Sequence, residues 1–449
     1  MADKIREYQT SKIQTADIGQ AVDELVAVAK NSRRGFERRW YDNNFFDDGH
    51  HFRYLSRTEN KIVDLSERQN LWAPMRAIPK ASRQIRGVAN LLISRDFTPT
   101  VYPERVSKAQ YPSQQATDPQ TGQPIQQENP EYKAALEEAK RIAKQSGHWV
   151  EEEMRNQNLI EKLAFMIILT AKHGVSYLQV WPDAVKEQIL TQVYDAFDIY
   201  LTGEVTELED CPFVIKAIPK RISEIKANEM FDPEQLEKIN PDNRHASSEI
   251  KEAYMNAKFG RETNADASAT ILLKEAFLKE YLNTENMARI RMQKNGDKIL
   301  QSKKTGDIVL RQSFVAGNIW LKDKYINLPS YPLVDLRLEP GPMYQVPLIE
   351  RFIPANKSLD MLVSRAERYA HTMVVGTWLK AKGQQFNINN QAGGQVIEYE
   401  GVPPTQGQIS PIPTFYFQLM GLMQSLIEEQ GVTTTTLGKL PPGVKANAA

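Results

Sequence analysis

The chain has 449 residues, 41% hydrophobic and 25% charged, a globular composition too long for one ordinary domain. Its 56 basic and 56 acidic residues cancel, which excludes a tight general nucleic-acid binder relying on a large basic excess. A single cysteine, Cys211, allows no internal disulfide and points to a reducing assembly compartment. The longest apolar run, Leu163–Ala171, is too short to cross a bilayer, and the polar start MADKIREYQTSKIQ has no signal-peptide pattern.

Apolar residues at Ile18, Ala21, Val22, Leu25, Val26, Ala29 and Phe36 predict a helix over Asp17–Arg39. The stretch RRGFERRWYDNNFFDDGHHFRYL, Arg33–Leu55, is dense in arginine and aromatics. It reads as an amphipathic helix with Phe36 and Trp40 packed and Arg34, Arg38 and Arg39 in water, or as a nucleic-acid surface with stacking platforms; packing is the expectation. Asp47-Asp48-Gly49-His50-His51 lacks the three- or four-residue spacing of helical metal ligands and is expected to be a solvated loop; the other histidines stand alone in sequence.

A second helix is expected over Lys80–Ser94, followed by an extended exit at Phe97–Pro103. Pro112–Pro130, rich in Gln, Pro, Thr and Ser, reads as a disordered loop, taken with its flanks as 107–131. Helices are expected over Glu131–Ser146 and Val150–Lys172, the second ended by Gly174, with VSYLQVWPD after it as a strand and AFDIYLTGE extended. Glu207, Glu209 and Asp210 are read as a solvated turn rather than a cation site. A strand at Phe213–Ala217 is expected to give way to a helix started by Pro219.

From Leu273 to Leu338 the pattern turns to β: AFLKEYL, ARIRMQ, DKILQS, DIVLRQ, NIWLKD and PLVDLRL are separated by turns at Asn295-Gly296-Asp297 and Thr305-Gly306-Asp307. Lys294, Lys298, Lys303 and Lys304 in those turns suit either a phosphate contact or a lysine-blunted hairpin edge. The most regular helix follows: Ala355, Leu359, Leu362, Ala366, Tyr369/Ala370 and Met373 form a seam, with Lys357, Asp360, Ser364, Arg365, Glu367, Arg368 and His371 mostly off it. Short β segments, TWLKA and GGQVIEYE, lead to a helix through Phe417–Ile427. The terminal GVTTTTLGKLPPGVKANAA is no phosphate loop: six residues separate Gly431 from Gly438, Leu440 stands where a hydroxyl is required, and Pro441-Pro442 removes the helix start that would hold the anion.

No cluster here carries catalytic chemistry, and no enzyme activity, cofactor or metal is expected. The order of elements does carry a signal. DIYLTGEVTELEDCPFVIKAIPKRISEI, then PSYPLVDLRLEPGPMYQVPLIERFIPANKSLDMLVSRAERY, then GQVIEYEG and PIPTFYFQLMGLMQSLIEEQGVTTTTLGKLPPGV resemble the portal proteins of tailed bacteriophages from about Arg33 onward. The resemblance implies a portal-like α+β fold: a wing (1–218), a first stem helix and linker (219–272), a β-rich clip (273–340), a second stem helix (347–376), then a wing return, long helix and start of a tunnel region (377–449). KANAA would open the kinked helix of that region, so the sequence is expected to be a truncated portion of a portal.

The same resemblance implies a homo-oligomeric ring, a dodecamer in this family, at one vertex of a virion capsid assembled in the host cytoplasm. Its partners would be the major capsid protein, the large terminase subunit, head-tail adaptor and tail proteins, and double-stranded DNA passing transiently through the channel, with no membrane. Lys357, Arg365 and Arg368 are then expected at the channel or a subunit interface, and the four clip lysines at a docking surface. The competing expectation is another head-tail structural subunit, an adaptor or capsid-associated scaffold, without a DNA channel.

Overall fold

The computed structural model describes residues 17–56, 62–65, 75–93, 100–103, 114–117, 124–127, 129–183, 188–242, 246–259, 269–292, 299–300, 303–375, 377–383, 395–401 and 412–431 of the chain. The fold is mixed α+β, in two compact units. The larger runs up to Ala89, takes in Met166–Gln179 and continues from Val193; the smaller is Asn90–Phe165 with Val180–Gln192.

The larger unit opens with α1, Ile18–Asp47, which extends the helix expected at Asp17–Arg39 by two further turns. A short hairpin follows, β1 (Arg53–Leu55) and β2 (Ile62–Asp64), and then α2, Lys80–Ile93. Much of the unit's core lies on an antiparallel sheet ordered β11-β10-β9-β8-β7, built from β7 (Ile199–Tyr200), β8 (Phe213–Arg221), β9 (Thr270–Tyr281), β10 (Ile308–Ala316) and β11 (Ile319–Ile326). Period-two side chains give this sheet two buried faces. One places Phe213, Ile215, Ala217, Leu272, Ala276 and Leu278 against Ile18, Val22, Leu25, Val26 and Ala29 of α1. The other packs Ile271, Phe314, Ala316 and Leu321 on two short helices, α5 (Ile222–Lys226) and α6 (Pro233–Leu236).

That sheet corrects three expectations. Pro219 does not start a long helix: β8 continues to Arg221, with Pro219 opposite Leu272, before the five-residue α5. β7 covers only Ile215 and Lys216, so the outer side of β8 is an edge at Pro219, where a missing N–H is tolerated. Nor is 273–340 a separate insert, because β9 pairs with β8 over nine residues, Phe213↔Leu278 to Arg221↔Thr270, and shares its packing against α1. Finally, Ala288–Arg291 of ARIRMQ lie in a helix, α8 (Thr284–Arg291), rather than a strand: the Asn283 side chain caps it by accepting from Asn286 N at 2.8 Å, and Ile290 packs with Leu282, Val309 and Tyr325; Gln293 lies outside the described residues. Between these, α7 spans Glu249–Phe259.

The long helix α9, Ile349–Val375, starts six residues before the seam expected from Ala355. Ile349, Phe352 and Leu359 pack with Phe46, Ala81, Ile85 and Ile427. Its helical neighbour is α10, Thr414–Glu429, whose Tyr416 hydroxyl donates to Leu362 O at 3.2 Å; the paired stem helix expected after Pro219 is not there. β13 (Thr377–Ala381) and β14 (Gln395–Tyr399) pair in parallel, and β12 (Leu333–Leu336) pairs with Ser176–Gln179 of β5, Ser176–Asp183.

In the smaller unit, part of the stretch expected to be disordered is a hairpin, β3 (Gln114–Thr117) with β4 (Pro124–Gln127). Backbone pairing needs no apolar face, so a Gln/Thr-rich composition does not forbid it. The helix α3, Pro130–Asn156, starts on an Asn129 cap that accepts from Glu131 N at 2.9 Å and runs past the break expected after Ser146. Asn158, at φ 49°, turns the chain into α4, Leu159–His173, and Lys162 Nζ donates to Thr191 O at 2.8 Å. β6, Gln188–Asp195, follows. The described part of Phe97–Pro103, residues 100–103, is not a strand.

Two glycines of α1 differ sharply. A Cβ on Gly19 would lie 2.0 Å from Asn318 O in the β10–β11 turn, whereas one on Gly35 would meet nothing within 4 Å. Chemical denaturation should therefore show Gly19→Ala destabilising the protein by about 2–3 kcal/mol and Gly35→Ala stabilising it by about 0.5–1 kcal/mol.

Candidate functional site

The aromatic and arginine-rich half of α1 is core. Trp40 is fully buried, 5.2 Å from the Phe197 ring and 5.7 Å from that of Tyr344. Trp40, Tyr41, Phe45 and Phe46 are thus not available as stacking platforms for bases. Arg33 is also fully buried: its Nη1 donates to Ile199 O at 2.7 Å and its Nη2 to Phe197 O at 3.0 Å, and it lies 3.5 Å over the Tyr200 ring. Glu37 forms the ion pair that burial of a guanidinium requires, at 2.6 Å. Arg34 faces solvent as expected, while Arg39 binds the Glu350 carboxylate, Nε to Oε1 at 3.0 Å.

The five-residue motif after α1 is only half solvated. Asp48 and His50 are exposed, but Asp47 and His51 are buried. His51 stacks on Phe46 at 3.9 Å and its Nδ1 meets Asp360 Oδ2 at 2.5 Å. Asp360, expected off the packing seam of α9, lies at its centre, fully buried. Its other oxygen accepts from Ile78 N at 2.8 Å, and Asn356 beside it accepts from Ala81 N at 3.0 Å. These bonds fasten the start of α2 to α9 beside the apolar contact that Ala81 and Ile85 make with Phe352 and Leu359. Among the described residues no group of three or more His, Cys, Asp or Glu is arranged to hold a metal.

With its carboxylates so committed, α9 has two electrically different sides. Glu350 binds Arg39, Asp360 binds His51 and Glu367 binds Arg76, its Oε2 accepting from Nε at 2.8 Å. Lys357, Arg365 and Arg368 are all exposed and fall within one arc of the helix, around the half-exposed Met361, opposite the stripe Ile349, Phe352, Asn356, Leu359. The arc carries cations over about 16 Å of rise, taking 1.5 Å per residue. Such a face offers spaced charges to a polyanion without an apolar surface to hold it.

Of the expected clip lysines, Lys294 and Lys298 lie outside the described residues. Lys303 folds its ammonium back onto Ile308 O, and Lys304 is exposed beside Asp307, whose Oδ2 accepts from Lys304 N at 2.7 Å. The Glu207–Asp210 stretch is a 3-10 turn with Glu207, Glu209 and Asp210 exposed, as expected of a solvated turn. His173, alone in sequence, meets Asn44 Oδ1 through Nε2 at 3.1 Å, and burial pulls its pKa down to about 3. His245 and the side chain of His371 lie outside the described residues.

A half-buried charge cluster unmarked in the sequence holds α7 in place. Lys251 Nζ reaches Asp195 at 2.9 Å and Asp198 at 2.7 Å, and Ser247 Oγ donates to Asp198 at 2.6 Å. Asp195 stays below the ordinary carboxylate range: burial opposes its charge, but Lys251 and His173 outweigh it. Burial and then the Asp195 charge push Asp198 up to about 6. A raised folded-state pKa means that the stability this group contributes is present below about pH 4 and lost as pH rises through about 6. Relative to the native chain, Asp198→Asn should therefore be near neutral at pH 4 and more stable by about 2 kcal/mol above pH 6.5, read by denaturation across that range.

No known protein family matches the chain, and no protein of curated function matches it either.

Proposed function

We propose that the chain is a portal subunit of a tailed bacteriophage: a non-enzymatic ring component at one capsid vertex, through which double-stranded DNA enters and leaves. Terminase would dock on it during packaging and the adaptor and tail proteins afterwards. The observation that carries this reading is α9, 27 residues long, bound to the core along one side while Lys357, Arg365 and Arg368 are exposed on the other, and its carboxylates are engaged by other elements: Glu350 by Arg39, Asp360 by His51 and Glu367 by Arg76. A ring of such helices would line a passage with exposed cations that guide a phosphate backbone without gripping it. The resemblance in element order supports the same reading.

One observation favours the second reading, a head-tail structural subunit without a DNA channel. The strands expected to form a clip belong to the sheet that packs on α1, and α9 pairs with α10 instead of with a preceding stem helix. Subunit geometry separates the two. Negative-stain microscopy with native mass should show closed rings around a hole wide enough for duplex DNA; a stable small oligomer with no hole overturns the portal reading. In rings that form, reversing all three charges (Lys357→Glu, Arg365→Glu, Arg368→Glu) should leave the subunit count unchanged and lower packaging of DNA. Unchanged packaging removes this face from the channel.

A further inference from the structure

We propose that a cleft beside α1 is a separate, sequence-independent contact for the phosphate backbone of nucleic acid. The cleft, about 530 Å³, lies between the middle of α1 and the start of α7. Lys30, Arg34 and Arg38 line it at four-residue intervals, so they stand on one side of α1 with about 6 Å of rise between neighbours. Arg34 is exposed, and Lys30 and Arg38 are half-buried along their stems.

The remaining walls decide what kind of anion fits. Glu37 also lines the cleft, but its carboxylate is bound to the buried Arg33, so its charge is already compensated. Among the described residues of the lining only Ile250 is apolar, which offers little of the hydrophobic anchor that a peptide or an apolar small molecule needs. Asn31 and Ser248 are, with lysine and arginine, the side-chain types that contact phosphate and sugar oxygens. A phosphodiester chain is therefore favoured over an acidic protein segment. Glu249, exposed at the rim, opposes any anion and keeps the contact weak.

The cleft is also preformed. Its α7 wall is pinned by Lys251 between Asp195 and Asp198, and at the far end by Lys258, whose Nζ lies 2.8 Å from Asp48. Tyr254 donates to the same Asp48 carboxylate at 2.5 Å. Little ordering is left to be done when an anion enters. This contact lies on a different element from the α9 arc and does not require the chain to form rings.

The test is fluorescence anisotropy of the full chain with a labelled mixed-sequence DNA duplex, titrated between 50 and 200 mM NaCl. Three neutralised phosphates contribute about 2–3 to the slope of log affinity against log salt. Lys30→Gln/Arg34→Gln/Arg38→Gln should lose that increment, Arg34→Gln alone should lose about 1, and Glu249→Gln should tighten binding. If the triple variant misfolds by circular dichroism, the exposed Arg34→Gln variant decides. Lys357→Gln/Arg365→Gln/Arg368→Gln measures the α9 face independently, so either contact can fail without the other. An unchanged slope in the cleft variants overturns the proposal. So does displacement of the duplex by poly-glutamate at charge concentrations where a random-sequence competitor DNA does not displace it, since that outcome assigns the cleft to an acidic protein.

Discussion

The packing of α1 in the larger unit depends on one buried guanidinium, that of Arg33. Arg33 lies in the middle of α1, and its donors satisfy carbonyls at Ala196, Phe197 and Ile199, in the turn between β6 and β7. A charge so deep is tolerated because Glu37 one turn later pairs with it and the Tyr200 ring lies flat beneath it. That arrangement fixes where α1 crosses the sheet. N-terminal to it, apolar residues of α1 cover one face of the strands; C-terminal to it, Trp40 fills the space between Phe197 and Tyr344.

From that crossing, order passes along α1 to α9. Asn43 donates to Lys172 O at 3.0 Å, Asn44 meets His173, and Arg39 holds Glu350 at the start of α9. The chain beyond α1 then brings His51 to Asp360, ten residues further along the same helix. Gly174 makes the turn out of α4 possible: it adopts φ +86°, and a Cβ there would lie 2.7 Å from Gln345 O, just before α9 begins. The consequence for function is electrostatic. Three of the contacts that anchor α9 use its carboxylates, and Lys357, Arg365 and Arg368 are exposed on the side away from its buried stripe.

The same logic places the second cationic surface. Burying Arg33 with Glu37 leaves Arg34 and Arg38, each one residue further along, about 100° around α1 on its more exposed side. The Lys251 cluster sets α7 opposite them. A chain with no net charge thus presents local basic surfaces, because its acidic residues are spent on internal ties at these positions rather than spread evenly.

What the sequence by itself determined was the course of the periodic elements. The three-and-four spacing of Ile18 to Ala29, of Ile85 to Ile93 and of Leu359 onward marks α1, α2 and α9, and the apolar run in Phe213–Ala217 marks β8. The packing of Phe36 and Trp40 was legible for the same reason. Tertiary structure alone decided the rest. Pro219 reads as a helix start until the strand edge that tolerates it is known, and Met287 and Ile290 fit a strand or a helix until a core exists beneath them. Asp360, Arg33 and Lys251 look like solvent-facing charges because helix periodicity records where a side chain points, not what waits there. A buried charge is stable only when partners distant in sequence converge on it, and that convergence is a property of the folded chain.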